Sequence, residues 1–119
     1  MFSAASFFVE IVFQLKNTTG NTYSFDKQMH VFHAENYKSA YQAALLYATQ
    51  ALDERNLGKQ EPLWEFAGIE LLQLLDKPHH TEYKTIQHYS IPTLEEAVAH
   101  VNTIRHKQEN LQLAIAQHN

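Results

Sequence analysis

The sequence predicts an α+β fold: a four-stranded, mainly antiparallel sheet with two helices packed on it, in the order β-β-α-β-β-α. Three observations carry this. Phe7, Val9, Ile11, Phe13 and Leu15 alternate with Phe8, Glu10, Val12, Gln14 and Lys16, the period of a strand with two distinct faces. Two later stretches, from Tyr37 to Leu52 and from Leu94 to Ile115, repeat apolar and small residues at helical spacing. Turn-forming residues separate the segments, notably Asn17–Asn21, Glu61-Pro62 and Asp76–Pro78. Hairpin connections within each half favour an antiparallel sheet with both helices on one face.

The 119 residues imply one domain, 1–119, large enough to bury a core. A hydrophobic share of 45% and a charged share of 18% describe a folded chain rather than a disordered one. The net charge of −4 gives no general attraction to nucleic acid or anionic membrane, so neither is expected as a partner. Without cysteine there are no disulfides or thiolate zinc sites, which fits a reducing, cytoplasmic setting. The opening MFSAASFFVEIVF lacks a basic leader and is interrupted by Glu10, so it reads as a strand rather than a signal peptide. No segment reaches the roughly 18 apolar residues of a membrane helix.

After the first strand and the polar turn at Asn17–Asn21, the second strand is expected over Lys27–His33, preceded by a long loop holding Tyr23 and Phe25. Asn36 is placed to cap the first helix. Its stripe of Tyr37, Ala40, Tyr41, Ala44, Ala48, Ala51 and Leu52 is rich in alanine, so the helix can lie close to a sheet, and Gly58 is a natural stop. Trp64 to Leu75 is the densest apolar run. Its alternation slips at Gly68, where a glycine within a strand marks a bulge or a close approach. Being apolar toward both faces, it is expected at the centre of the sheet. The fourth strand, Glu82–Ile91, has no strongly apolar face and is expected at an edge. Thr93 and Glu96 form a capping-box pattern for a last helix over about 93–118, long enough to overhang the sheet, bend or pack on something else. Asn36 and Thr93 each precede an alanine by four residues, which suggests a duplicated strand-strand-helix unit.

A strand leading into AENYKSAYQAA, then Asn56 and Gly58, then WEFAGIELLQL, resembles a family of small bacterial domains catalogued as domain of unknown function 4288. The likeness covers roughly Phe7 to Leu75; the long helix after Pro92 departs from it. The resemblance implies a fold and a bacterial setting, and no catalytic residues.

Eight histidines invite a search for metal ligands. His30 and His33 would point to opposite faces of a strand, poor geometry for one ion. His79 and His80 lie in a turn that His88 would join across a hairpin, and three neutral imidazoles would hold zinc or nickel; a solvated polar turn is the plainer alternative. His100, His106 and His118 fall on the last helix at exposed or boundary positions. Glu65 and Glu70 interrupt the apolar run at Trp64–Leu75. They would either line a polar pocket with Trp64, Tyr83 and Tyr89 or sit at the sheet margin paired to Lys84 or Arg105, because an unpaired buried charge is costly. Exposed tyrosine suits interfaces. No nucleophile elbow, phosphate loop or metalloprotease histidine pair is present.

The expected function is therefore binding without catalysis and without a cofactor, as a protein-interaction or regulatory module acting as a homodimer. Leu111, Ala114 and Ile115 on the overhanging helix are the interface candidates, because apolar residues there need cover. The alternatives are a small-ligand or metal-binding domain using the His79–His88 hairpin, and an immunity or antitoxin-like protein.

Overall fold

A computed structural model describes residues 4–16, 23–60, 63–77 and 83–117. The elements are β1 (Ala5–Lys16), β2 (Tyr23–Ala34), α1 (Tyr37–Asn56), β3 (Leu63–Leu74), β4 (Lys84–Ile91) and α2 (Leu94–Gln117). The four strands form one antiparallel sheet in the order β3-β1-β2-β4. The α+β class and the element order are as the sequence predicts.

β1 supplies the core to both faces. Phe7, Val9, Ile11 and Phe13 are buried toward α1, against Ala40, Tyr41, Ala44 and Ala48. The alanine stripe is what lets α1 lie close to these aromatic and branched side chains. Val12, on the other side of β1, is equally buried but belongs to a second cluster with Phe25, Ala67, Ala97, Val101 and Ile104. The first half of α2 therefore covers the face opposite α1. The expectation of both helices on one face is corrected: each face of β1 carries residues of full apolar burial, and each has its own helix.

β3 lies at an edge of the sheet rather than at its centre. Its apolar run is buried from above and below by helices, not between two strands. The pairing with β1 jumps twice, between Glu10 and Ile11 and between Val12 and Phe13. Ala67 and Glu70 are the extra residues of β3 at these bulges, which explains why the alternation dissolves beyond Phe66. Gly68 has φ +155, and a Cβ there would stand 2.8 Å from Gln108 Oε1 and 2.9 Å from Ile104 Cγ2. The glycine is the gap through which α2 passes the β3 edge.

Beyond that crossing α2 changes face. Leu111 and Ile115 pack against the α1-side cluster, while Ala114 is exposed. Leu111 and Ile115 find cover within their own chain, so their apolar character does not by itself require a second subunit.

Asn36 and Thr93 cap their helices, Thr93 through its hydroxyl. Asn36 accepts from the Ser39 N–H at 2.8 Å, Thr93 Oγ1 accepts from the Glu96 N–H at 3.2 Å, and α1 ends before Gly58 at φ +73. β2 begins at Tyr23, not Lys27: Tyr23 and Phe25 are in the strand, with Phe25 fully buried and stacked on Tyr89. The start of the strand reads as loop in the sequence because its alternate residues, from Asp26 through Gln28 to His30, are polar yet point to the α1 side.

Candidate functional site

The two edges of the sheet are built differently. On β3, side chains take the place of a neighbouring strand. Asn56, at the last turn of α1, accepts from the Trp64 N–H and donates to the Trp64 carbonyl, both at 2.9 Å. Its amide pairs with that residue as a strand backbone would. Farther along, Gln108 Oε1 accepts from the Ile69 N–H at 2.9 Å, and Gln108 Nε2 donates to the Tyr41 hydroxyl at 2.9 Å. Tyr37 Oη accepts from the Leu74 N–H at 3.4 Å. Glu70, the bulged residue, is bound by Lys27 and Lys107, each at 3.0 Å, and Lys27 also reaches Glu10 at 3.6 Å. Burial pushes the Glu70 carboxyl up, but the two lysines outweigh it and hold the group below its ordinary range. Burial likewise opposes the charge of Lys27, and its two carboxylates outweigh that and raise it.

Among the described residues β4 has none of this. It pairs with β2 from Tyr23↔Ile91 to His30↔Lys84 without a register shift, and among the described residues no strand pairs with its other side. The strand holds no proline or glycine, and its only Lys, Arg, Asp or Glu is Lys84, at one end. Ile86 is 37% exposed. An unbulged strand whose outer row of N–H and C=O groups is unpaired among the described residues is a template for a further strand.

β4 is held in place by a polar row on β2. Asp26, Gln28 and His30 recur at every second residue, and all are buried on the α1 side. Arg55, from the last turn of α1, donates to Asp26 at 2.6 Å while its guanidinium stacks over Trp64 at 4.5 Å and Phe13 at 5.3 Å. From β4, His88 Nδ1 bonds the other Asp26 oxygen, leaving a side chain that is 74% exposed. Gln28 Oε1 accepts from the Tyr47 hydroxyl at 3.0 Å and from His30 Nε2 at 2.9 Å, so the His30 proton sits on Nε2. Burial, assisted by Lys84, lowers His30 to about 4. Lys84 lies 5.9 Å from the Tyr47 ring centre. Cavities of about 250 and 310 Å³ flank this row, the first between α1 and β4, the second beside Trp64, Ser24 and Ser90. Such a network, fully bonded, fixes the position of β4 relative to α1.

The residues singled out in the sequence scatter over this frame. Trp64 is on the α1 side, stacked on Arg55. Glu65, Glu70 and Tyr89 are on the α2 side; Tyr89 borders the cavity beside Trp64, but Glu65, Glu70 and Tyr83 do not, so the expected set is not brought into one pocket. Glu65 accepts from the Gln14 amide at 3.3 Å, and Glu70 takes Lys27 and Lys107 rather than Lys84 or Arg105. Tyr89, pushed up to about 12 by burial and then by Glu70 and Asp26, bonds His100 Nε2 at 2.6 Å; burial lowers His100. Tyr83 packs 6.4 Å from Phe8. His79 and His80 lie outside the described residues, and His88 bonds Asp26. Among the described residues no group of three or more metal-ligating side chains is assembled. His30 and His33 do face opposite sides, His33 meeting Ser6 at 3.2 Å. Asp26, Gln28 and Arg55 were missed; the signal available was the polar spacing Asp26-x-Gln28-x-His30 between aromatic residues.

No family model matches the chain, and comparison with curated proteins and with solved structures gives no match. The resemblance noted from the sequence rests on its motifs alone. No helix among the described residues is long and apolar enough to cross a membrane.

Proposed function

We propose that this chain is a non-enzymatic interaction module that works as a symmetric dimer joined edge to edge through β4. The observation that carries the reading is the inequality of the two sheet edges: β3 is closed by Asn56, Gln108 and α2, whereas among the described residues nothing pairs with the outer side of β4. The occupant that fits is a second copy. Antiparallel pairing of β4 with itself leaves only the two β3 strands as outer edges, and both are closed. Assembly then stops at two chains instead of growing into a fibre. With Gln87 or His88 on the two-fold axis, the exposed Ile86 gains cover and the Lys84 side chains stay at opposite ends of the paired strands. This moves the dimer contact from the end of α2, where Leu111 and Ile115 are internally packed, to the other side of the molecule. A cysteine-free chain of this kind is suited to the cytoplasm.

Sedimentation equilibrium on the intact protein and on Ile86→Lys tests the reading. Ile86 is exposed enough for the variant to fold, and lysine on an edge strand blocks pairing. The intact chain should sediment as a dimer and the variant as a monomer. A monomeric intact chain, or a variant that dimerises unchanged, contradicts the proposal.

A further inference from the structure

A trough of about 300 Å³ lies on the α2 side, between the first turns of α2 and the end of the sheet, away from β4's free edge. Its helical wall is Leu94 and Val98, which are 60% and 50% exposed. They lie four residues apart, beside the buried Ala97 and Val101, so α2 is apolar over a wider arc than the sheet uses. Tyr23 forms the facing wall, with Gln14 and Glu65 beside it. Seven residues beyond Val98, on the same side of the helix, Arg105 lines the trough. Among the described residues no ion pair or hydrogen bond engages its guanidinium. The other arginine, Arg55, is by contrast bound to Asp26 and stacked on two rings.

We propose that this trough binds a small amphipathic carboxylate, a medium-chain fatty acid or an arylalkanoate, with its apolar body over Leu94, Val98 and Tyr23 and its carboxylate on Arg105. The volume is at the lower end for ligand pockets, which sets the size class. A guanidinium matches a carboxylate with two parallel N–H donors. The inference does not depend on how β4 is paired.

Titration of the intact, isotope-labelled protein with octanoate, octan-1-ol and octylammonium, followed by amide shifts in NMR, tests it. Octanoate should shift the amides of Leu15, Tyr23, Leu94 and Val98 saturably and bind more tightly than the alcohol or the amine. Arg105→Gln, at an exposed position, should weaken octanoate about fivefold while leaving octan-1-ol unchanged. Val98→Asp should remove binding of both. Absence of saturable shifts at these amides, tighter binding of octylammonium, or unchanged octanoate affinity in Arg105→Gln overturns the proposal.

Discussion

β3 and β4 are the two margins of one sheet, and they handle the same problem in opposite ways. A margin strand exposes a row of backbone donors and acceptors. β3 disposes of them locally, with an amide from α1, an amide from α2, two bulges and an ion cluster around Glu70. β4 keeps an unbroken register and, among the described residues, has its outer row unpaired, while the buried Asp26–Gln28–His30 line fastens it from beneath. The difference teaches that closure here is a matter of side chains reaching from distant segments: Gln108 is 39 residues from Ile69. It also separates two kinds of polar residue. Those at β3 substitute for a strand, and those at β2 hold a strand ready.

The largest expected effect is at the fastening. Arg55→Leu leaves the Asp26 carboxylate, whose side chain is 3% exposed, with only His88. Breaking a buried pair from one side costs roughly 3 kcal/mol or more. Urea unfolding should show that loss, with β4 amides losing hydrogen-exchange protection ahead of β3 amides.

Acid should discriminate between the margins next. His30 is held at about 4, below its ordinary 6.5. Between those values the unfolded chain binds a proton that the folded chain refuses, so stability falls as pH drops through that window, by about 3 kcal/mol at its lower end. His100 moves in the same direction. Glu70 is depressed, so its contribution is present above its ordinary 4.5 and is lost only below that, as pH falls through its folded value. Urea midpoints at pH 7 and pH 5 should therefore differ, and His30→Phe should reduce the difference. An unaltered slope in that variant would place the acid response elsewhere.

Gly68→Ala tests the crossing of α2 over β3. The added Cβ meets Ile104 and Gln108 at under 3 Å in a strained backbone region. A loss of about 1–3 kcal/mol is expected in thermal or urea unfolding, and full stability would mean that α2 is not seated against this strand. Replacing both Asn56 and Gln108 with alanine has a smaller thermodynamic cost, about 1 kcal/mol for each hydrogen-bonding amide, but a more telling consequence. With β3 opened, the dimer should extend into higher oligomers visible by light scattering.

The sequence made β1, both helices and their caps readable, because each obeys a local period or a local capping pattern. It also marked β4 as a margin, since neither face of Lys84–Ile91 is strongly apolar. β3 was readable as a strand but misplaced at the centre. An apolar run covered by helices on both sides has the same local signature as one flanked by strands, and only the long-range passage of α2 past Gly68 distinguishes them. Small residues at Ala67, Gly68 and Ala97 were the trace of that passage. The fastening row was illegible for the opposite reason. Asp26 reads as loop, and Gln28 and His30 as polar positions of a weak strand, until Arg55, Tyr47 and His88 are brought to them from 19 to 62 residues away.

The chain has no cysteine, so single cysteines can report on β4 without background. Each position from Lys84 to Ile91 would be replaced in turn, with Gln73→Cys on β3 as the control, and disulfide-linked dimer measured after mild oxidation at low protein concentration. Directly opposed residues of an antiparallel pair lie about 4.5–5.5 Å apart at Cα, within disulfide reach. The account predicts a sharp maximum at Gln87→Cys or His88→Cys, falling away on both sides, and little dimer from the control. A flat profile no higher than the control would contradict the pairing of β4 with a second copy.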